Sequence, residues 1–138
     1  MRRKLLTWLS HRAEVPATST GAIALAVSEA VGNASRHAYE EGEGTVGVDA
    51  VLGHGRLEVA VSDSGRGFAG HADRESNGLG MMIIARLADD LSLNSDGGGT
   101  EVRIGFDLGG SGPSRPGRRP GRPGRMADPT GRLHAAAR

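Results

Sequence analysis

A break in composition at Leu108 limits where a core can form in this chain. Five of the six prolines and seven of the 23 glycines lie beyond it, in phrases such as Pro116-Gly117-Arg118-Arg119-Pro120-Gly121-Arg122. A segment of that kind buries too little apolar surface to offset the entropy of ordering it. Residues 1–108 are therefore expected to be the one folded domain and residues 109–138 a disordered Arg/Pro/Gly-rich tail. Charge divides at the same place. Seven arginines against Asp128 leave the tail at +6, while ten Lys and Arg against fifteen Asp and Glu leave the body at −5. No aromatic stands in the tail for base stacking, so it reads as a solvated extension with no direct nucleic-acid partner expected.

Composition also removes several chemistries. Aromatics are 3% of the 138 residues, so the core must be aliphatic. The absence of cysteine excludes disulfides, thiol nucleophiles and thiolate metal sites. Lys4 is the single lysine, so no Gly-Lys phosphate loop exists, and no two histidines are four apart as a zinc helix needs. No serine has glycine two places away on both sides, which excludes a nucleophile elbow. No apolar run approaches the roughly 18 residues of a membrane span. A cytoplasmic protein without a membrane segment is expected.

Periodicity gives the elements. Leu5, Leu6, Trp8 and Leu9 have helical spacing over residues 3–11. Pro16 marks a break, and Thr18, Ser19 and Thr20 offer N-caps to a helix reaching Tyr39 on the 3.6 period of Ile23, Val27, Ala30, Val31, Ala34 and Ala38. Val46 and Val48, then Leu57, Val59 and Val61, alternate around Gly53-His54-Gly55, which predicts a hairpin. Residues 79–90 read as a helix, and Leu91 to Leu108 as a second hairpin turning at Gly97-Gly98-Gly99. Helices bunched with two hairpins indicate an α+β fold, a two-layer sandwich with helices on one face of a mixed or antiparallel sheet.

Four stretches carry chemistry, each with a plainer alternative. Glu29, Asn33 and His37 stack at i, i+4 and i+8 on one helix face. An amide oxygen there suits Mg²⁺ and a carboxylate suits proton acceptance, but the same residues fit a solvated polar face. Asp63-Ser64-Gly65-Arg66-Gly67 follows a strand. Its Asp can accept from an exocyclic amine and its glycines can pass a flat ring, or the Asp can simply cap a turn. Gly65 to Gly70 also spells GxGxxG, yet no apolar helix follows and no βαβ unit surrounds it, so a dinucleotide loop is rejected. Asn77-Gly78-Leu79-Gly80, before a helix expected to begin at Met81, offers free N–H groups to phosphate or an ordinary cap. Between Phe68 and Asn77 hardly any aliphatic residue occurs, which reads as a lid. Gly97-Gly98-Gly99-Thr100 is a hairpin turn whose threonine can reach the Asp or a purine edge.

Together, Glu29-xxx-Asn33-xx-Arg36-His37, Asp63-x-Gly65-x-Gly67, Gly78-x-Gly80 and Gly99-Thr100 resemble the four nucleotide-binding boxes of Bergerat-fold ATPases. The wording Ala26-Val27-Ser28-Glu29-Ala30-Val31-Gly32-Asn33-Ala34-Ser35-Arg36-His37 is most similar to the anti-sigma factor serine/threonine kinases. The resemblance spans about residues 3–108. It implies a Bergerat ATP-binding fold with ATP and Mg²⁺ as cofactors. Asn33 would ligate Mg²⁺, Glu29 would be the catalytic base, and Arg36 would sit near the phosphates. Asp63 would read the adenine amine with Thr100 beside it, and Gly65 and Gly67 would pass the adenine. Gly78, Leu79 and Gly80 would contact the phosphates.

The resemblance further implies a sigma factor and an anti-sigma factor antagonist as partners, and a homodimer. The family usually has a strand before its first helix, and here Arg2-Arg3-Lys4 follows Met1 directly, so one sheet edge is expected to lack its strand. The basic tail is outside the family pattern. The leading functional reading is an anti-sigma factor with serine/threonine kinase activity, and the alternative is a non-catalytic ATP-binding interaction module. The ATPase half of a histidine kinase is disfavoured because no helical hairpin with a phosphoacceptor histidine precedes Glu29.

Overall fold

The apolar period between Ile23 and Ala34 becomes the inner face of a long helix, with Ile23, Ala24, Ala26, Val27, Ala30 and Ala34 all buried. A computed structural model describes residues 2–12, 15–40, 44–64, 74–95, 99–109 and 132–137, with the backbone alone at 37–40, 74–77, 132 and 134–137. In it, α1 (Arg2–Ser10) precedes α2 (Ala17–Glu40). Pro16, with its φ fixed and no N–H to leave unpaired, stands immediately before α2. The hydroxyl residues expected as caps lie inside the first turn instead, and Thr20 Oγ1 donates back to the Pro16 carbonyl at 3.4 Å.

Two hairpins build most of the sheet. β1 (Val46–Gly53) and β2 (Arg56–Asp63) turn through His54 and Gly55, with φ of 53° and 71°. Two successive positive φ values make the tight turn whose twist matches a hairpin. After α3 (Arg74–Leu87), β3 (Asp90–Ser95) pairs with β4 (Thr100–Asp107). With β5 (Arg132–Ala137), the strands run in the order β3-β4-β2-β1-β5, every neighbouring pair antiparallel.

Alternation decides which face the helices cover. Val46, Val48, Ala50, Leu57, Val59, Val61, Val102, Ile104 and Phe106 are buried, and the residues between them are half-buried or exposed, apart from Gly105. The result is the expected α+β sandwich, purely antiparallel, with α2 and α3 over the sheet. Leu5 and Leu9 fix α1 to the core at 1% exposure each, and Arg12 lies 5.0 Å from the Trp8 ring centre in cation–π contact.

Among the described residues the open face carries a charge cluster around Arg56. Arg56 donates to Asp107 at 2.7 Å, to Asp90 at 2.5 Å and to Glu58 at 3.4 Å. Burial alone lowers its pKa, but these carboxylates outweigh that and raise it, so the guanidinium stays charged. It crosses above Gly105, where a Cβ would overlap it.

Two expectations need correction. The helix expected from Met81 starts at Arg74 and ends at Leu87, so Gly78 and Gly80 lie inside α3 rather than before it. Segment 109–138 is not wholly without structure, because Arg132–Ala137 forms an edge strand on β1. That pairing satisfies backbone groups along the edge, which composition around it does not reveal. The edge expected to lack a strand is therefore filled from the other end of the sequence. No helix among the described residues is long and apolar enough to cross a membrane.

Candidate functional site

Among the described residues three polar side chains are buried with the core: Asn33 at 9% exposure, Asp63 at 9% and Thr100 at 8%. All three belong to the stretches singled out by sequence. A buried polar group costs roughly 1–3 kcal/mol unless it is hydrogen-bonded.

Asn33 interrupts an otherwise apolar stripe. Ala26, Ala30 and Ala34 are buried on the same stretch of α2, and the amide lies among them. No hydrogen bond of the Asn33 side chain occurs among the described residues. One turn earlier, Glu29 is half-buried. Across from both stands Gly80 of α3. A Cβ on Gly80 would lie 3.1 Å from Asn33 Nδ2, 3.2 Å from Glu29 Oε2 and 3.4 Å from Asn33 Oδ1. Glycine at this position lets α3 approach the carboxylate and the amide together.

A second group forms where β2 and β4 end. Asp63 and Thr100 are direct cross-strand partners. Asp63 is in phase with Leu57, Val59 and Val61, and Thr100 with Val102, Ile104 and Phe106, so both face the helix layer in which Asn33 is buried. Gly99, with φ of 150°, presses so close that a Cβ would overlap the Asp63 carbonyl oxygen. Ser64 ties off the strand: its N–H donates to the Thr45 carbonyl at 3.1 Å, and its hydroxyl accepts from the Thr45 N–H at 2.9 Å.

The structure thus brings Glu29, Asn33 and Gly80 together, and separately Asp63, Gly99 and Thr100, all on the helix side of the sheet. Arg36, Gly78 and Leu79 are exposed on α2 and α3. Gly65 and Gly67, with the lid stretch up to Asp73, lie outside the described residues, as do the side chains of His37 and Asn77. In sequence Gly99 reads as a turn residue and as part of the fourth box, and its place against the Asp63 carbonyl adds the close approach.

The donor set fits Mg²⁺ held largely by phosphates. Among the described residues no three His, Asp or Glu groups gather into a metal site. An amide oxygen without a partner among the described residues, beside a carboxylate, suits a hard cation that takes few protein ligands. Because α3 is helical from Arg74, N–H groups from Gly78 onward point to carbonyls four residues back. Phosphate contact by Gly78, Leu79 and Gly80 therefore requires the first turns of α3 to open.

Residues 1–106 match the family model described as histidine kinase-like ATPase domain. The serine-protein kinase RsbW of Halalkalibacterium halodurans is 36% identical, over 55% of this chain and 56% of that protein. The anti-sigma F factor of Clostridium acetobutylicum is 32% identical, over 58% of this chain and 64% of that protein. The chain therefore spans a little over half the length of these relatives. Among solved structures, a blue-light-activated histidine kinase of Erythrobacter litoralis superposes with a TM-score of 0.57 at 33% identity, over 68% of this chain and 32% of the other.

Proposed function

This chain belongs to the histidine kinase-like ATPase domain family, and from that premise we propose that it is an ATP-binding anti-sigma factor with serine/threonine protein kinase activity. It acts in the cytoplasm on an anti-sigma factor antagonist and so regulates sigma-dependent transcription. The observation that carries this reading is the contact of Gly80 with both Glu29 and Asn33. It joins two motifs far apart in sequence at one carboxylate and one amide that has no partner among the described residues.

Each residue then has a task. Asp63 accepts a hydrogen bond from the adenine amine, and Thr100 borders it. Gly65 and Gly67 let the backbone pass the base. The Asn33 oxygen would hold Mg²⁺, and Arg36 with the Gly78-Leu79-Gly80 backbone would serve the phosphates once the start of α3 opens. The chemistry supplied by Mg²⁺ held there would be stabilisation of the charge on the phosphoryl oxygens. Glu29 accepts the proton of the antagonist's serine hydroxyl as that oxygen bonds to the γ-phosphorus and the bridging oxygen leaves with ADP. Phosphoryl transfer of this kind rests mainly on positioning and on electrostatic stabilisation.

A second reading is favoured by the helical state of Arg74–Gly80. A chain whose phosphate-facing N–H groups remain in a helix binds nucleotide and a partner without transferring phosphate. Incubating the protein with labelled ATP, Mg²⁺ and a candidate antagonist tests the kinase. Label on the antagonist supports it, and nucleotide binding without label leaves the interaction module.

A further inference from the structure

β5 lies against β1 over six consecutive positions, from Val46↔Ala137 to Val51↔Arg132. Leu133 is half-buried against the core and, with Trp8 and Arg12 of α1, lines a groove of about 760 Å³. The rest of the strand offers little to bury, since Ala135, Ala136 and Ala137 follow one another. Backbone pairing along β1 and the packing of Leu133 both hold it there.

The connection to β5 is much longer than its path. The Leu108 N–H donates to the Gly55 carbonyl at 2.7 Å, which fixes the end of β4 at the His54-Gly55 turn. β5 starts opposite Val51, at the same end of the sheet. Crossing from β4 over β2 and β1 to β5 takes roughly 15 Å at the usual inter-strand spacing. The 22 residues 110–131 reach roughly 75 Å at full extension. A connection of that length does not force β5 onto the edge, and covalent attachment makes its pairing with β1 intramolecular.

We propose that Arg132–Ala137 is an intramolecular strand ligand: it caps the outer edge of β1 in cis, can release, and while seated keeps that edge from pairing with β1 of a second copy. An uncovered edge presents a row of unpaired N–H and C=O groups, which another strand can satisfy. Two copies meeting edge to edge would form a self-complementary antiparallel pair about a two-fold axis. At micromolar protein, pairing within one chain is favoured over pairing between two.

The sequence contains no cysteine, so introduced thiols report cleanly. Asp49 and His134 are register partners, and Cα atoms about 4.5–5.5 Å apart across such a pair lie within disulfide range. In the full-length chain at low micromolar concentration, Asp49→Cys/His134→Cys is expected to close a disulfide within one chain. It should do so about tenfold faster than Asp49→Cys/Ala136→Cys, which is two positions out of register. Full-length Leu133→Asp, with an unchanged circular dichroism spectrum, is expected to show a larger average mass in sedimentation than wild type at equal concentration. Equal cross-linking rates, a disulfide joining two chains, or a Leu133→Asp mass no different from wild type overturns the proposal.

Discussion

Gly80 in α3 lies against Glu29 in α2, so close that a Cβ at position 80 would stand 3.2 Å from the carboxylate oxygen and 3.1 Å from the neighbouring Asn33 amide nitrogen. Gly80→Ala separates packing from function at this point. Alanine raises helix propensity by up to about 1 kcal/mol, and the crowded groups are side-chain ends that can shift. Stability is therefore expected to hold or rise while Mg·ATP affinity falls about tenfold, or about 1.4 kcal/mol. Thermal melts and calorimetric titration of the same sample read both quantities.

Gly99→Ala is expected to destabilise. Its φ of 150° disfavours any side chain, and the added Cβ meets the Asp63 carbonyl, which belongs to backbone and cannot rotate away. A loss of about 2 kcal/mol or more in urea denaturation is expected, since strained backbone positions cost about 1–3 kcal/mol and overlap adds to that.

Glu29→Gln keeps shape and removes the proton acceptor. Phosphate transfer to an antagonist is expected to fall about 100-fold or more. ATP affinity should stay within about threefold, because the lost interaction belongs to the transfer step. Rates from labelled ATP and affinities from calorimetry check the two halves.

Arg56→Met removes the bridge between Asp107, Asp90 and Glu58 on the open face. The carboxylates are well exposed, so the expected loss is about 0.5–1 kcal/mol and shrinks further in high salt. Nucleotide affinity is expected to remain unchanged, because the cluster lies at the opposite end of β2 from Asp63. Denaturation at two ionic strengths measures the effect.

Much of this was legible in sequence where local pattern and burial agree. Ile23, Val27, Ala30 and Ala34 repeat at helical spacing and are buried, and Leu57, Val59 and Val61 alternate and are buried. Asn33 was readable as a site candidate from its spacing with Glu29, Asp63 from its place after a strand, and Thr100 from the glycine turn before it. The start of α3 was not readable, since Gly78 and Gly80 look like loop punctuation and the polar run before them carries no period. β5 was hidden because three alanines in an arginine- and proline-rich setting show no alternation, and its partner β1 lies some eighty residues earlier. Arg56 likewise gains meaning from Asp90 and Asp107, which only the sheet order brings beside it.

Titration of wild type and Asn33→Ala with ATP, each with and without Mg²⁺, tests the nucleotide site most directly. In wild type, binding should be tight and Mg²⁺-dependent, and in Asn33→Ala the Mg²⁺-dependent part should vanish while the fold persists. Equal Mg·ATP affinity in the two proteins would contradict the assignment of Asn33, and with it the meeting of α2, α3 and the β2–β4 end at one nucleotide.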